Sequence, residues 1–208
     1  MNEYHKIKTI WMRDPKTNFK RLLSGQWSTP EFEALRSLDW EWTEKIDGTN
    51  IRVDWDGTAV RFGGKTDNAQ IPESLAEHLR LSFTPELFKS LDLDPMTLYG
   101  EGFGEKIQRG GLYRPGRVDF CLFDVRCGLW LERSNVEDVA CKVGCCFAPV
   151  VGRGPLIEAA DMMISDCPDS VVAEKKRPME GYIMRPTVEL LTRRGDRIIA
   201  KVKRKDFE

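Results

Sequence analysis

Between Ile51 and Phe62 the chain alternates apolar and polar residues around one tight turn. Ile51, Val53 and Trp55 are separated by Arg52 and Asp54, Asp56-Gly57 interrupts, and Val60 and Phe62 resume the spacing. A period of two puts alternate side chains on opposite faces, and Asp-Gly closes two-residue hairpins. This segment therefore demands antiparallel sheet. With the run from Trp40 upstream, the pattern from Trp40 to Phe62 predicts strand, loop, strand, turn, strand in a single antiparallel unit.

The remaining signals are mixed. Pro72 to Leu91 reads as one or two short helices, with Pro72 and Pro85 at first-turn positions. Met96 to Tyr99 and Val118 to Val125 read as buried strands between glycine clusters. Ser134-Asn135-Val136-Glu137 has capping-box spacing with Gly144 as a stop, and a further helix is predicted over Leu156 to Ile164. A hairpin from Val188 to Val202 would turn at Arg194-Gly195-Asp196. Strands and helices without regular alternation indicate an α+β fold of mainly antiparallel sheets with flanking helices. The 208 residues carry no repeat or linker, so one domain over residues 1–208 is expected.

Composition removes several classes. Lys plus Arg total 32 against 33 for Asp plus Glu, a formal net charge of -1, so polyanion binding would need a local patch. Two patches stand out: Arg193, Arg194, Arg197, Lys201, Lys203, Arg204 and Lys205 against Asp196 alone, and Lys106, Arg109, Arg114 and Arg117 in a glycine-rich loop. No apolar run approaches the roughly 18 residues of a membrane span, and the N-terminus begins no secretory segment, which predicts a cytoplasmic protein without membrane contact. The six cysteines read as reduced, small buried side chains; His5 and His78 lie far from them, against a zinc site.

Glu44-Lys45-Ile46-Asp47-Gly48-Thr49-Asn50 places a lysine, a carboxylate and a glycine between two strands. Such a lysine becomes a nucleophile only when neutral, which requires desolvation or neighbouring cations. Asp-Gly-Thr-Asn is equally ordinary turn chemistry. Four more strings follow in order: Tyr99-Gly100-Glu101-Gly102-Phe103-Gly104, Phe120-Cys121-Leu122-Phe123-Asp124-Val125, Glu180-Gly181-Tyr182-Ile183-Met184 and Ile199-Ala200-Lys201-Val202-Lys203. Lys201 and Lys203, two apart on a predicted strand, project from one face, where both can meet one phosphate.

Together with Arg61-Phe62-Gly63-Gly64-Lys65-Thr66-Asp67-Asn68-Ala69, the ordered set resembles the covalent nucleotidyltransferases, and most closely ATP-dependent RNA ligases of the bacteriophage RNA ligase 2 kind. The resemblance implies a nucleotidyltransferase (ligase adenylylation) domain without an appended C-terminal domain. Its implied substrates are ATP and RNA ends, nicked or single-stranded, with Mg2+ or Mn2+, in a monomer. It makes Lys45 the nucleophile that becomes lysyl-AMP, with Asp47, Lys201 and Lys203 completing the catalytic set. Glu44, Lys45, Asn50, Glu101 (ribose), Phe123 (adenine), Lys201 and Lys203 would hold the nucleotide and Glu180 the metal. Asn50, Lys65, Lys106, Arg109, Arg117 and Arg204 would meet RNA. The alternatives are a DNA ligase, a capping-type nucleotidyltransferase, or a nucleotide-dependent module that binds nucleic-acid ends.

Overall fold

In the computed structural model, which describes residues 2–208, the alternating segments are divided between two main sheets. The chain gathers into two compact units. One comprises Lys6–Ile46, Pro149–Val172 and Lys176–Glu208; the other comprises residues 2–5, Asp47–Ala148 and Ala173–Lys175.

The first unit is built on five strands in the order Lys8–Thr9, Ala200–Lys203, Gly181–Pro186, Trp40–Lys45 and Val150–Gly154. The first pair is parallel and the others antiparallel. Trp40, Trp42, Tyr182, Met184, Ala200 and Val202 belong to its buried core, joined by helix Leu156–Ser165. Leu156, Ala159, Ala160 and Met163 recur at the three- and four-residue steps of one helical stripe, and burying a leucine or methionine in this way is worth about 1.5–3 kcal/mol. The opposite sheet face carries the lysines. Gly181 is the register partner of Lys45 on one side and of Lys203 on the other, so two lysines flank a residue without a side chain.

The second unit orders its strands Cys146–Phe147, Val118–Cys127, Met96–Gly104, Thr49–Trp55 and Val60–Gly63, with Leu129–Trp130 added to Val118–Cys127. Ile51, Val53, Leu98, Phe120 and Leu122 pack with Leu75 and Leu79 of helix Glu73–Ser82, Phe88 of Pro85–Ser90 and Val136, Val139 and Ala140 of Arg133–Val143. Among the described residues no helix is long and apolar enough to cross a membrane.

Four expectations change. Trp40–Lys45 and Thr49–Trp55 do not pair: they belong to different sheets, because the apolar face of the first matches Tyr182 and Met184 while the second pairs with Met96–Gly104. The capping box does not form. Helix Arg133–Val143 starts one residue before Ser134, since Arg133 is fastened to Glu137, to the Phe147 ring and to the Ala148 carbonyl, although Gly144 ends the helix in the left-handed conformation as expected. Pro72 is the N-cap of its helix, whereas Pro85 occupies the first turn. The C-terminal hairpin shrinks to the single bridge Leu191–Arg197. Thr192 Oγ1 accepts from the backbone of Arg194 and Asp196 to tighten that turn, and Ala200–Lys203 pairs instead with Gly181–Pro186 and Lys8–Thr9.

Gly181 tests this register directly. A Cβ there would lie 2.0 Å from the Val202 carbonyl oxygen and 2.8 Å from Lys203 Cα, both backbone atoms. Gly181→Ala should therefore force the strands apart and cost about 1–3 kcal/mol, measured as a lower urea midpoint. An unchanged midpoint would show that the sheet accommodates a methyl group here.

Candidate active site

Strand Trp40–Lys45 alternates strictly between buried and half-buried residues, which puts Lys45 on the face opposite Trp42 and Glu44. Lys45 Nζ donates to Glu180 Oε2 at 2.7 Å, and Lys203 Nζ lies 2.7 Å from Glu180 Oε1. These side chains are 18%, 11% and 17% exposed for Lys45, Glu180 and Lys203. Burial alone would raise the Glu180 carboxyl, but the two ammonium groups outweigh it and hold the group below the usual carboxylate range. Lys201 projects from the same strand as Lys203 and makes no ion pair among the described residues. Burial first, then the charges of Lys203, Lys45 and Arg13, push its ammonium down to about 8. A half-buried cation beside further cations is receptive to an anion.

Glu44, expected at the nucleotide, points away from these lysines. Its carboxylate is 2% exposed and accepts from Ser170 Oγ and from the backbone of Val171 at 2.9 Å and Val172 at 3.3 Å. Burial raises the carboxyl, and these bonds with the Arg177 charge oppose the rise without cancelling it. Its side chain organises the 170–172 loop. The alternation Trp40-Glu41-Trp42-Thr43-Glu44-Lys45 is the sequence signal for that orientation.

In the other unit, Asn50 and Glu101 are direct cross-strand partners and so share a face. Asn50 Oδ1 is buried with no hydrogen-bond partner among the described residues, an acceptor that a donor on a ligand could satisfy. Phe123 sits at an irregularity: Tyr99 pairs with Asp124 and Gly100 with Leu122, leaving Phe123 as the extra residue. Such a bulge re-aims a side chain. Phe123 is half-buried and meets Tyr4 edge-on at 5.1 Å, while the Tyr4 hydroxyl donates to Asp124 at 2.7 Å. The Asp47 backbone N–H donates to the Tyr113 hydroxyl at 3.3 Å. Lys65 is exposed in a loop clamped by the fully buried Arg52, which donates from Nε to the Gly64 carbonyl at 2.8 Å and from Nη2 to Asp67 at 2.9 Å. Alternation groups Arg52 with Asp54 on the polar side of its strand, and its bonds to this loop account for its burial.

The two basic patches fare differently. Lys106 and Arg117 line one cleft of about 500 Å3 with His78, Glu105 and Asp119, although Arg117 also pairs with Glu174; Arg109 is exposed in the same loop. The C-terminal stripe is broken up. Arg197 is buried in a two-bond pair with Glu189, Arg204 faces Glu208 at 3.3 Å, and Lys203 is held by Glu180, while Arg193, Arg194 and Lys205 are exposed. Asp206, which no sequence pattern marks, is buried and pairs with Arg13 at 2.9 Å.

Among the described residues no cluster of three or more His, Cys, Asp or Glu could hold a metal by itself. Glu180 alone, with ligand oxygens and water completing the shell, fits magnesium, which takes few protein carboxylates at nucleotide sites.

A family model described as RNA ligase matches residues 38–203. No curated protein sequence matches the chain. Among solved structures, the chain is similar to a mutant Naegleria gruberi RNA ligase with ATP and Mn at 18% identity and TM-score 0.63, covering 85% of this chain and 54% of that one. It is likewise similar to the Naegleria gruberi RNA ligase with PPi at 20% identity and TM-score 0.62, covering 84% and 52%. A mutant of that ligase with AMP and Mn gives 19%, 0.62, 84% and 52%. The chain thus spans about half the length of the structures it matches, and at these identities the likeness is one of fold.

The depressed Lys201 ammonium has a stability consequence. Its folded value of about 8 lies below the ordinary 10.5, so between these values the unfolded chain binds more protons and stability rises with pH; below about 8 the full cost is present. Lys201→Met should raise the denaturation midpoint at neutral pH and remove the rise between about 8 and 10.5. Equal midpoints at neutral pH, with the alkaline rise retained, would show that Lys201 is not strained by burial.

Proposed function

Because the chain belongs to the RNA ligase family, we propose that it is an ATP-dependent RNA ligase that joins 5′-phosphate and 3′-hydroxyl RNA ends through a lysyl-AMP intermediate. The observation that carries this reading is the lysine face of the five-stranded sheet: Lys45 and Lys203 share Glu180, and Lys201 of the same face makes no ion pair among the described residues. Three ammonium groups there suit a phosphate, and Lys45, at the end of Trp40–Lys45, matches the family's nucleophile.

In the first step the neutral Lys45 Nζ attacks the α-phosphorus of ATP, a P–N bond forms, and pyrophosphate leaves with the electron pair of the broken P–O bond. Lys201 and Lys203 meet the charge that develops on the α-phosphate oxygens. In the second, an oxygen of the RNA 5′-phosphate attacks the same phosphorus, the P–N bond breaks, and the amine is regenerated. In the third, the 3′-hydroxyl loses its proton and attacks the 5′-phosphate phosphorus, releasing AMP. Glu180 would hold a divalent metal, which would supply charge neutralisation at the phosphates. Glu180 holds the Lys45 ammonium at rest, so attack requires that contact to loosen and a proton to leave.

By the family pattern, Glu101 accepts from the ribose, Phe123 stacks on adenine and Asp47 completes the lysine motif. Asn50 offers its unsatisfied amide oxygen at the nucleotide and at the RNA end. Lys65, Lys106, Arg109, Arg117 and Arg204 contact RNA phosphates. The Glu44 side chain is left out of this set because the 170–172 loop occupies its carboxylate.

Incubation with α-labelled ATP and magnesium should leave label on the denatured protein, and Lys45→Ala should abolish it. Lys45→Arg should not restore it, because a guanidinium stays protonated. Full labelling of Lys45→Ala would remove the nucleophile. Lys201→Ala and Lys203→Ala should each lower the rate of label transfer by about 2–4 kcal/mol of transition-state stabilisation. Wild-type rates in both would mean that the lysine face is not the phosphate site.

A further inference from the structure

The bulge that carries Phe123 is gripped by a residue from outside its sheet. Tyr4, in the same compact unit, is half-buried beside it. Between ring centroids Tyr4 lies 5.1 Å from Phe123, at an interplanar angle of 73°, 5.2 Å from Tyr99 and 5.6 Å from Trp130. Its hydroxyl donates to Asp124 Oδ2 at 2.7 Å, and Asp124 is fully buried. Tyr99, also fully buried, donates from its hydroxyl to the Asn2 carbonyl at 3.2 Å, which ties the backbone of the same segment to the sheet.

These contacts fall where the strand ladder gives least support. Tyr99 pairs with Asp124 and Gly100 with Leu122, so Phe123 lies between successive register pairs with Met96–Gly104. A ladder residue is held by the side chain directly opposite it, whereas a bulged residue lacks that neighbour and needs another constraint. Tyr4 provides one on each side of the peptide: its ring packs on Phe123, and its hydroxyl holds the next residue, Asp124. Aromatic pairs favour an edge-to-face geometry of this kind, so the contact restricts rotation of the Phe123 ring. The other Asp124 oxygen accepts from the Val125 backbone at 3.2 Å, which fixes the carboxylate that Tyr4 grips.

We propose that Tyr4 is a positioning residue for Phe123: ring and hydroxyl together fix the direction of the Phe123 side chain before the nucleotide binds, and so set the affinity for its base. The inference rests on the reading that Phe123 stacks on adenine. No bond is made or broken at Tyr4. A side chain ordered in advance need not be immobilised on binding, so the effect falls on base affinity and not on the transfer step.

The experiment measures, by calorimetry on the full chain, binding of α,β-methylene ATP, whose carbon bridge prevents loss of pyrophosphate. Tyr4→Ala should weaken binding about two- to tenfold, the size of one aromatic contact. The rate of lysyl-AMP formation at saturating ATP should stay at the wild-type value, the pattern of a lost binding contribution. In a Phe123→Ala background, Tyr4→Ala should cause no further loss, as for two residues that act through one contact. Ribose 5′-triphosphate, which has no base, should bind wild type and Tyr4→Ala equally.

Unchanged affinity for the analogue in folded Tyr4→Ala, with a loss in Phe123→Ala, would overturn the proposal and leave adenine stacking in place. An equal loss for ribose 5′-triphosphate, or a full further loss in the Phe123→Ala background, would make Tyr4 a structural residue only and overturn it too. Wild-type affinity in Phe123→Ala would overturn the adenine reading and the proposal with it. If Tyr4→Ala fails to fold by circular dichroism, Tyr4→Phe decides, since it keeps the ring and removes the bond to Asp124. Weaker binding of the analogue but not of ribose 5′-triphosphate then supports the proposal, and unchanged binding overturns it. Absence of lysyl-AMP in the wild type would overturn the ligase reading, while the calorimetry would still decide the role of Tyr4.

Discussion

Glu180 is shared by two ammonium groups, and the chemistry assigned to the five-stranded sheet depends on that sharing. One carboxylate holds Lys45 and Lys203 at equal 2.7 Å distances, although the lysines belong to strands separated by a third. The separation can be bridged because Gly181, the register partner of both, contributes no side chain. Slipping either strand by one residue would send its lysine to the buried face.

This arrangement runs against stability. The core face of the same sheet is apolar and covered by helix Leu156–Ser165, while the other concentrates cations that repel one another and are partly removed from water. A face optimised only for folding would replace Lys201 with an apolar residue. Its retention is understandable if the missing counter-charge arrives with the substrate, as it does when a phosphate binds.

The second unit uses a different device. Its sheet is mostly regular, and the residue assigned to adenine occurs where the ladder is interrupted, with Phe123 standing between two successive register pairs. Asn50 and Glu101 need no such interruption because they are paired directly across neighbouring strands. Regular pairing brings polar groups together, and the bulge re-aims the aromatic.

Much of this was legible in the residues alone. The spacing of Lys201 and Lys203 is a local period of two, so one strand suffices to place them on one face. The alternation of Ile51, Val53 and Trp55, the proline that opens helix Pro85–Ser90 and the glycine after Arg133–Val143 are equally local, and all keep their expected roles. The ordered motifs identified the family for the same reason, since each is a short string. Tertiary structure alone decided that Lys45 meets Glu180 across 135 positions of sequence, that Trp40–Lys45 and Thr49–Trp55 enter different sheets, and that Arg52 and Asp206 are buried. Periodicity specifies which way a side chain faces within its own strand. Register and partner choice depend on packing against residues far away in the chain, and no local pattern encodes them.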